Sequence, residues 1–350
     1  MGRTTRAQGR GSTVKRANKI ISVAALVAVI AAGVSGCGGG SSSSGSRSAA
    51  PPATAKAGAG PASTPSRPTS STTPQRPKML LDTIEPQSGT TVGVAMPISV
   101  TFSKAVAVPA RADIEKHLKL TTSTPVTGAW HWFGSERVDF RPKAYWPTGT
   151  KVTLDAELAG VGDGNGRYGV RSYLHSFTVG PDDEVHVYAD QHLMKVYRDG
   201  SVTKTFPIDA GSAKYPSWTG TMAVMGKARE VLMDSCSVHI ACSKSDPNYY
   251  HANYPFAVEL TSSGTYVHYS DGDPQPGHSA GSHGCVHLSM ANAQWFYAFA
   301  RQGDPVTITG SASPAASADN GYADYDVTDW SSWISPKASG LGQLTTPTTT

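Results

Sequence analysis

Short runs in which apolar and polar residues alternate recur between positions 98 and 179, which is the pattern of half-buried β-strands. Turn-forming runs such as the Gly-Asp-Gly-Asn-Gly of residues 162–166 separate them. Strands are predicted over residues 98–102, 130–133, 137–140, 151–154 and 172–179, and a short helix over 110–118. About a hundred residues of short strands predict an immunoglobulin-like β-sandwich over residues 80–180.

A second domain is predicted over residues 181–310, where the alternation continues and a helical pattern follows it. Residues 184–188 and 193–197 alternate and lead to an Asp199-Gly200 turn, which predicts antiparallel strands. Residues 289–302 instead repeat apolar side chains at helical spacing. The fold is therefore predicted to be mainly β, a sandwich followed by a β-rich domain with one main helix.

The first 37 residues have the layout of a lipoprotein signal peptide. Six Lys and Arg residues precede a short apolar run, 20–34, and Val34-Ser35-Gly36-Cys37 resembles the lipobox at which such leaders are cleaved. Cleavage there leaves Cys37 lipidated, which predicts a protein anchored to the outer face of the cell membrane. The alternative is an ordinary signal peptide in which Cys37 is incidental.

The segments that flank the two domains differ in composition. Residues 38–79 are dominated by Gly, Ser, Ala, Pro and Thr, and predict a disordered linker that lets an anchored protein reach into the cell wall. Residues 311–350 form a mostly polar C-terminal extension that includes an apolar group, Tyr325, Trp330, Trp333 and Ile334. We expect this apolar group to dock on the second domain, because it is too apolar for a free tail.

The formal net charge of +4 comes from the N-terminal segments. Residues 1–78 hold 11 of the 30 Lys and Arg residues and none of the 26 Asp and Glu residues, which leaves −7 for the remainder. Because the folded part is acidic, we expect no nucleic-acid partner.

Three cysteines follow the leader. Outside the cytoplasm, Cys236 and Cys242 are close enough in sequence to predict a disulfide, which leaves Cys285 as the free thiol. The alternative is that all three cysteines are reduced.

Cys285 is the candidate nucleophile, in the run Gly281-Ser282-His283-Gly284-Cys285-Val286-His287. A thiol needs a base, for which His268 and His283 are both candidates, and the helix start near residue 289 is expected to stabilise a thiolate. Because Gly284 permits close backbone approach, the amides of Gly284 and Cys285 are candidates for an oxyanion hole.

Two other interpretations compete with nucleophilic catalysis. In the first, Cys285 is a small buried residue without a chemical role. In the second, a zinc ion is bound by His278, His283, Cys285 and His287, although their spacing fits no common ligand pattern. We predict no metal and no cofactor.

The Ser282-His283-Gly284-Cys285 run, with Cys285 17 residues after the strand-borne His268, resembles the signature of L,D-transpeptidases with a YkuD-type catalytic domain. The order of immunoglobulin-like domain, catalytic domain and tryptophan-bearing end is similar to that of two-module actinobacterial members. The resemblance implies that Cys285 attacks the third-residue diaminopimelate of a tetrapeptide stem, releases D-Ala and forms a thioester. A diaminopimelate amine of a second stem then makes a 3→3 cross-link, and carbapenems are expected to inhibit.

The resemblance also implies roles for individual residues. His268 is the expected base, held by the carbonyl of Tyr269, and His283 assists it. The residues expected to contact the stem peptide are Met233 and Tyr250 on a lid, Ser263, Gly264, Ser282 and His287. The predicted disulfide between Cys236 and Cys242 would restrain that lid.

Two residues depart from the family pattern, which usually has Ser at position 269 and Asn at position 287. Tyr269 is tolerable if only its carbonyl is used, whereas His287 introduces a group that titrates near neutrality. The open functional alternatives are an L,D-carboxypeptidase, attachment of a protein to the wall by the same thioester chemistry, and a non-catalytic wall-binding lipoprotein.

Overall fold

The computed structural model describes residues 78–79, 81–279, 281–325 and 329–335. The predicted signal peptide with Cys37, and residues 38–77 of the predicted linker, lie outside the described residues. Lys78 and Met79, also predicted to be linker, instead form a strand that pairs with Tyr168–Gly169. Within the described ranges, no helix is long and apolar enough to cross a membrane.

The first domain consists of short strands. They are Lys78–Met79 (β1), Leu81–Glu85 (β2), Thr91–Val92 (β3), Ile98–Phe102 (β4), Leu118–Thr122 (β5), Gly128–Phe133 (β6), Arg137–Pro142 (β7), Lys151–Ala156 (β8), Tyr168–Gly169 (β9) and Tyr173–Val179 (β10). Its two main sheets have the strand orders β2-β4-β7-β6 and β3-β10-β8-β5. The predicted helix is present as Val108–His117 (α1). These elements confirm the predicted β-sandwich.

The core of the sandwich lies between its two sheets, and β8 contributes alternate residues to it. In β8, Val152, Leu154 and Ala156 are buried, while the residues between them are more exposed. Trp130 and Phe140 of the other sheet belong to the same apolar cluster and are fully buried. Burial of one face on a partner sheet is the arrangement that the period-two pattern predicts.

The second domain has nine described strands. They are Asp183–Tyr188 (β11), Leu193–Arg198 (β12), Ser201–Pro207 (β13), Gly220–Ala223 (β14), Gly226–Asp234 (β15), His251–Glu259 (β16), Tyr266–Tyr269 (β17), Val286–Leu288 (β18) and Pro305–Thr309 (β19). They form two sheets with the strand orders β13-β12-β11-β19-β14 and β15-β16-β17-β18. The main helix is Met290–Phe299 (α2), three residues shorter at its C-terminal end than predicted. One apolar cluster joins both sheets and the buried Ala293 and Phe296 of α2.

The apolar C-terminal residues dock mainly on the first domain, which corrects the prediction that they dock on the second. A short helix, Trp330–Trp333 (α3), places the fully buried Trp333 ring 4.6 Å from the ring of His131 on β6. Ile334 is 38% exposed and does not pack as expected. The reason is that β6 is an edge strand whose aromatic side chains offer an apolar surface to the chain end.

Candidate active site

A cleft of about 300 Å³ opens where β16, β17 and β18 lie side by side. Seven of the predicted site residues line it: Met233, Tyr250, His268, Ser282, His283, Cys285 and His287. Ser263, Gly264, Tyr269 and Gly284 do not line it, although the backbones of Gly264, Tyr269 and Gly284 contact residues that do. The sequence motif and the cleft therefore coincide.

The parallel pairing of β17 with β18 sets the positions of the reactive side chains. His268 pairs directly with His287 in this register, and Cys285 immediately precedes β18. Because side chains two residues apart on a strand share a face, Cys285 and His287 project on one side, beside His268 of the neighbouring strand. The loop that joins the two strands carries the Ser-His-Gly-Cys run. The connection between β17 and β18 therefore places Cys285 near His268.

His268 is held in one orientation by the backbone. Its Nδ1 lies 2.7 Å from the carbonyl oxygen of Tyr269, and since a carbonyl only accepts, Nδ1 carries the proton. Nε2 is then left with a free electron pair, as a base requires. The residue is only 2% exposed, and burial, assisted by the neighbouring His287, lowers the pKa of His268 to about 3. The imidazole is therefore neutral at physiological pH.

Cys285 is half-buried, and its Sγ lies 3.7 Å from the carbonyl oxygen of Gly264. Burial raises the pKa of the Cys285 thiol to about 11, so the resting pair is a neutral thiol and a neutral imidazole. The expected stabilisation of a thiolate by a helix start is wrong. Strand β18 separates Cys285 from α2, and three residues of strand span about 10 Å.

The neutral resting pair predicts how Cys285 reacts with a small alkylating agent. Because the thiol pKa is about 11, the thiolate fraction, and with it the alkylation rate by iodoacetamide, should rise about tenfold per pH unit from pH 7 to pH 9. Cys236 and Cys242 form a disulfide, so intact mass reports Cys285 alone among the described cysteines. A rate that is level with pH between 6 and 9 would instead indicate a preformed thiolate–imidazolium pair, contrary to this electrostatic picture.

The turn before Cys285 is fixed by Ser282. The buried Ser282 hydroxyl donates to the carbonyl oxygen of Cys285 at 2.6 Å and accepts from the amide of Gly284 at 3.1 Å. Gly284 has φ +117°, a conformation that side chains with a Cβ rarely adopt. Since the Gly284 amide is already bonded to Ser282, the Cys285 amide is the better placed of the two predicted oxyanion-hole donors.

A long hairpin of β15 and β16 covers one side of the cleft. Its connecting loop holds the disulfide between Cys236 and Cys242, with an S–S distance of 1.98 Å. Met233 and Tyr250 come from its two sides, and the ring of Tyr250 lies 5.3 Å from that of His283. The hairpin thus contributes an aromatic and apolar wall beside the reactive strands.

Comparison with known proteins decides the family. The sequence model of the YkuD L,D-transpeptidase catalytic domain matches residues 182–308, and that of a bacterial Ig domain matches residues 51–162. L,D-transpeptidase 1 of Mycobacterium tuberculosis is 32% identical over 246 residues, which cover 69% of this chain and 90% of that protein. This chain belongs to the L,D-transpeptidase family.

One further relative and a solved structure support the same assignment. L,D-transpeptidase 2 of Mycobacterium tuberculosis is 32% identical over 255 residues, 71% of this chain but only 60% of its own length. The solved structure of the LD transpeptidase LdtMt1 in complex with imipenem covers 67% of this chain and 99% of its own, with 29% identity and a TM-score of 0.56. The predicted order, an Ig-like domain followed by a YkuD-type domain, is confirmed.

The sequence departures from the L,D-transpeptidase pattern have different consequences in the structure. At position 269 only the carbonyl reaches His268, while the Tyr269 side chain packs on the apolar core of the second domain. His287, by contrast, enters the cleft and bonds through Nδ1 to Oδ2 of Asp273 at 3.0 Å. Position 287 is therefore the departure that changes the site.

Sequence reasoning about this L,D-transpeptidase site missed Tyr254 and Asp273. The Tyr254 ring lies 4.9 Å from His268 in an edge-to-face contact, on the side opposite His287 in the strand order. Asp273 belongs to the loop between β17 and β18, where no strand or helix pattern marks it. A search for carboxylates between His268 and Cys285 would have found Asp271 and Asp273, but it would not have shown which of the two contacts His287.

Proposed function

We propose that this protein is a peptidoglycan L,D-transpeptidase that forms 3→3 cross-links through a thioester on Cys285. The observation that carries the proposal is a free thiol beside a neutral imidazole whose Nδ1 is fixed by the Tyr269 carbonyl, in a cleft of an L,D-transpeptidase-family chain. An oriented imidazole next to a thiol is what acyl transfer through a thioester requires.

Acylation proceeds as one proton passes from the thiol to the leaving group. Nε2 of His268 accepts the Cys285 proton as Sγ attacks the carbonyl of diaminopimelate, the third residue of a tetrapeptide donor stem. The imidazolium then gives this proton to the departing amine of D-Ala, the C–N bond breaks and a thioester remains. The side-chain amine of diaminopimelate on a second stem attacks the thioester and the C–S bond breaks. The attacking nitrogen loses one proton, the thiolate takes one up, and the cross-link is complete.

A neutral resting pair suits this sequence of events. Because His268 is buried and its pKa is lowered to about 3, a charge separated onto the pair in the empty site is costly. The thiolate and the imidazolium therefore form only as Sγ of Cys285 attacks a substrate carbonyl. We place the donor stem along the wall that includes Met233 and Tyr250, with Ser282 ordering the backbone around Cys285 and the Gly264 carbonyl contacting its Sγ.

Two further parts of the proposal concern an inhibitor and an anchor. A solved relative, LdtMt1, is bound to imipenem, and we propose that carbapenems acylate Cys285 in this chain as well. We also propose that lipidation of Cys37 anchors the protein to the outer face of the membrane, with residues 38–77 spanning part of the way to the wall. The lipobox-like Val34-Ser35-Gly36-Cys37 supports this assignment.

The decisive test uses mass spectrometry of the full-length protein with a disaccharide-tetrapeptide, beside a Cys285→Ala control. We expect two stems joined with loss of one D-Ala, and no such product with the control. A tripeptide without a dimer would replace the transpeptidase by an L,D-carboxypeptidase using the same thioester. No reaction, together with no imipenem adduct on a titratable Cys285, would favour the wall-binding alternative.

A further inference from the structure

The cleft contains a second oriented imidazole, that of His287. Its Nδ1 lies 3.0 Å from Oδ2 of Asp273, and since a carboxylate only accepts, Nδ1 carries the proton and Nε2 keeps a free electron pair. In the described part of the chain, Nε2 of His287 has no hydrogen-bond partner. This is the carboxylate-held imidazole arrangement of a general base.

The position of His287 brings it to the reacting atoms. It follows Cys285 by two residues on the same face of β18, a separation of about 7 Å along the strand. Its ring centroid is 5.0 Å from that of His268, directly across the parallel pair. An acyl group on Cys285 therefore lies within reach of both imidazoles.

The two imidazoles differ in access to the cleft. His268 is 2% exposed and is enclosed by Tyr254 on one side and His287 on the other. The side chains of His287 and Asp273 are 13% and 22% exposed, and both line the cleft. Of the two imidazoles, that of His287 is therefore the more accessible from the cleft. The carboxylate of Asp273 also suits an incoming molecule that carries an ammonium group.

We propose that His287, oriented by Asp273, is the general base for the acceptor amine in the second half-reaction, an inference that rests on the proposed transpeptidase function. An acceptor that arrives as an ammonium group first loses one proton to solvent. The neutral amine nitrogen then attacks the thioester carbonyl while Nε2 of His287 takes a second proton. The C–N bond forms, the C–S bond breaks and Cys285 leaves as a thiolate. The proton returns from His287 to the thiolate through solvent or His268, and both groups regain their starting states.

Asp273 acts in this step as a positioning residue. Its carboxylate holds the His287 tautomer and stabilises the imidazolium formed when the proton is taken. Burial lowers the pKa of His287, with Asp273 and Asp209 opposing that shift, which keeps the imidazole neutral and able to accept a proton at pH 7. The titratable groups around His287 are thus Asp273, Asp209, His268 and His283.

The test separates the two half-reactions of the full chain. With enzyme and tetrapeptide donor equimolar, so that only the first turnover is observed, D-Ala release measures acylation, and cross-linked dimer formed from the acyl-enzyme measures transfer. For His287→Asn we expect the ratio of dimer to released D-Ala to fall about 30-fold or more, within the range for loss of a general base. The difference between wild type and variant should shrink at pH values low enough to protonate His287, since the wild-type base is then lost.

Variants of the neighbouring carboxylates supply the controls. Asp273→Asn should lower the same ratio less than His287→Asn, and Asp273→Glu should recover part of it. Asp271→Asn removes a like charge from the exposed part of the same loop and should leave the ratio unchanged. Equal losses of D-Ala release and dimer in His287→Asn, or no loss of either, would overturn the assignment. A wild-type chain that releases no D-Ala would instead overturn the proposed function.

Discussion

Replacing His268 with alanine should slow acylation of Cys285 by about a thousandfold at pH 7, within the range for loss of a general base. The thiol has a pKa of about 11, so without a base only about one molecule in ten thousand carries a thiolate at that pH. His268 is the imidazole fixed beside this thiol by a backbone hydrogen bond of 2.7 Å. The measurement is the second-order rate constant for imipenem adduct formation, followed by intact mass.

His283→Ala is the matched comparison, because His283 also lines the cleft but is differently supported. Its ring lies between Tyr215 and Tyr250, at 4.8 and 5.3 Å, and belongs to the turn that precedes Cys285. We expect its removal to slow acylation less than tenfold. Because His268 is buried, His268→Ala leaves a cavity into which the site could collapse. His268→Gln fills more of that space than alanine does and controls for such a collapse. Equal losses in His268→Ala and His283→Ala would contradict the choice of His268 as the base.

The parts of the fold that could be predicted from the sequence are those that local patterns determine. Strand β8 alternates buried and exposed residues along its whole length, so period-two reasoning finds it. The β15–β16 hairpin was largely missed because most of its residues are exposed or half-buried, and Leu232 is 56% exposed. A strand whose two faces are both partly open to solvent carries a weak alternation signal.

The C-terminal end of α2 depends on a contact with a distant part of the chain. Residues 300–302 continue the helical pattern, yet α2 ends at Phe299 and Ala300 is extended. The ammonium group of Lys227 on β15 donates to the carbonyl oxygens of Tyr297 and Ala300, at 2.7 and 2.6 Å. A side chain 70 residues away in sequence thus satisfies carbonyls at the helix end, and no local rule contains that contact.

Some residues of the candidate site could likewise be predicted from the sequence, and others could not. The motif and the family resemblance identified Cys285, His268 and His283, because their spacing is a sequence property. The contact of Asp273 with His287 depends on how the β17–β18 crossover loop folds back over the cleft, and the contact of Tyr254 with His268 depends on strand order. Sequence spacing therefore gave the nucleophile and its candidate bases, while the groups that orient or enclose them required the three-dimensional arrangement.

The docking of the C-terminal segment leads to the largest expected effect on stability. Replacing Trp333 with alanine should lower the free energy of unfolding by about 3–5 kcal/mol, the range for truncating a buried tryptophan. The ring is fully buried, lies 4.6 Å from the guanidinium carbon of Arg141, and its Nε1 donates to the Ala129 carbonyl at 2.9 Å. Its loss leaves a cavity and an unsatisfied backbone acceptor at the edge of the sandwich.

The measurement is urea unfolding at pH 7, with Trp333→Phe and Ile334→Ala as controls. Trp333→Phe keeps much of the packing but not the hydrogen bond, so it should lower the free energy of unfolding by about 1–2 kcal/mol. Ile334 is the next residue of the same segment and is 38% exposed, so its truncation should cost less than about 1 kcal/mol. If Trp333→Ala and Ile334→Ala had equally small effects, the C-terminal segment would contribute little to the fold. A large difference would mean that the sandwich depends on residues about 150 positions beyond its own last strand, because β6 is an edge strand that needs an apolar cover.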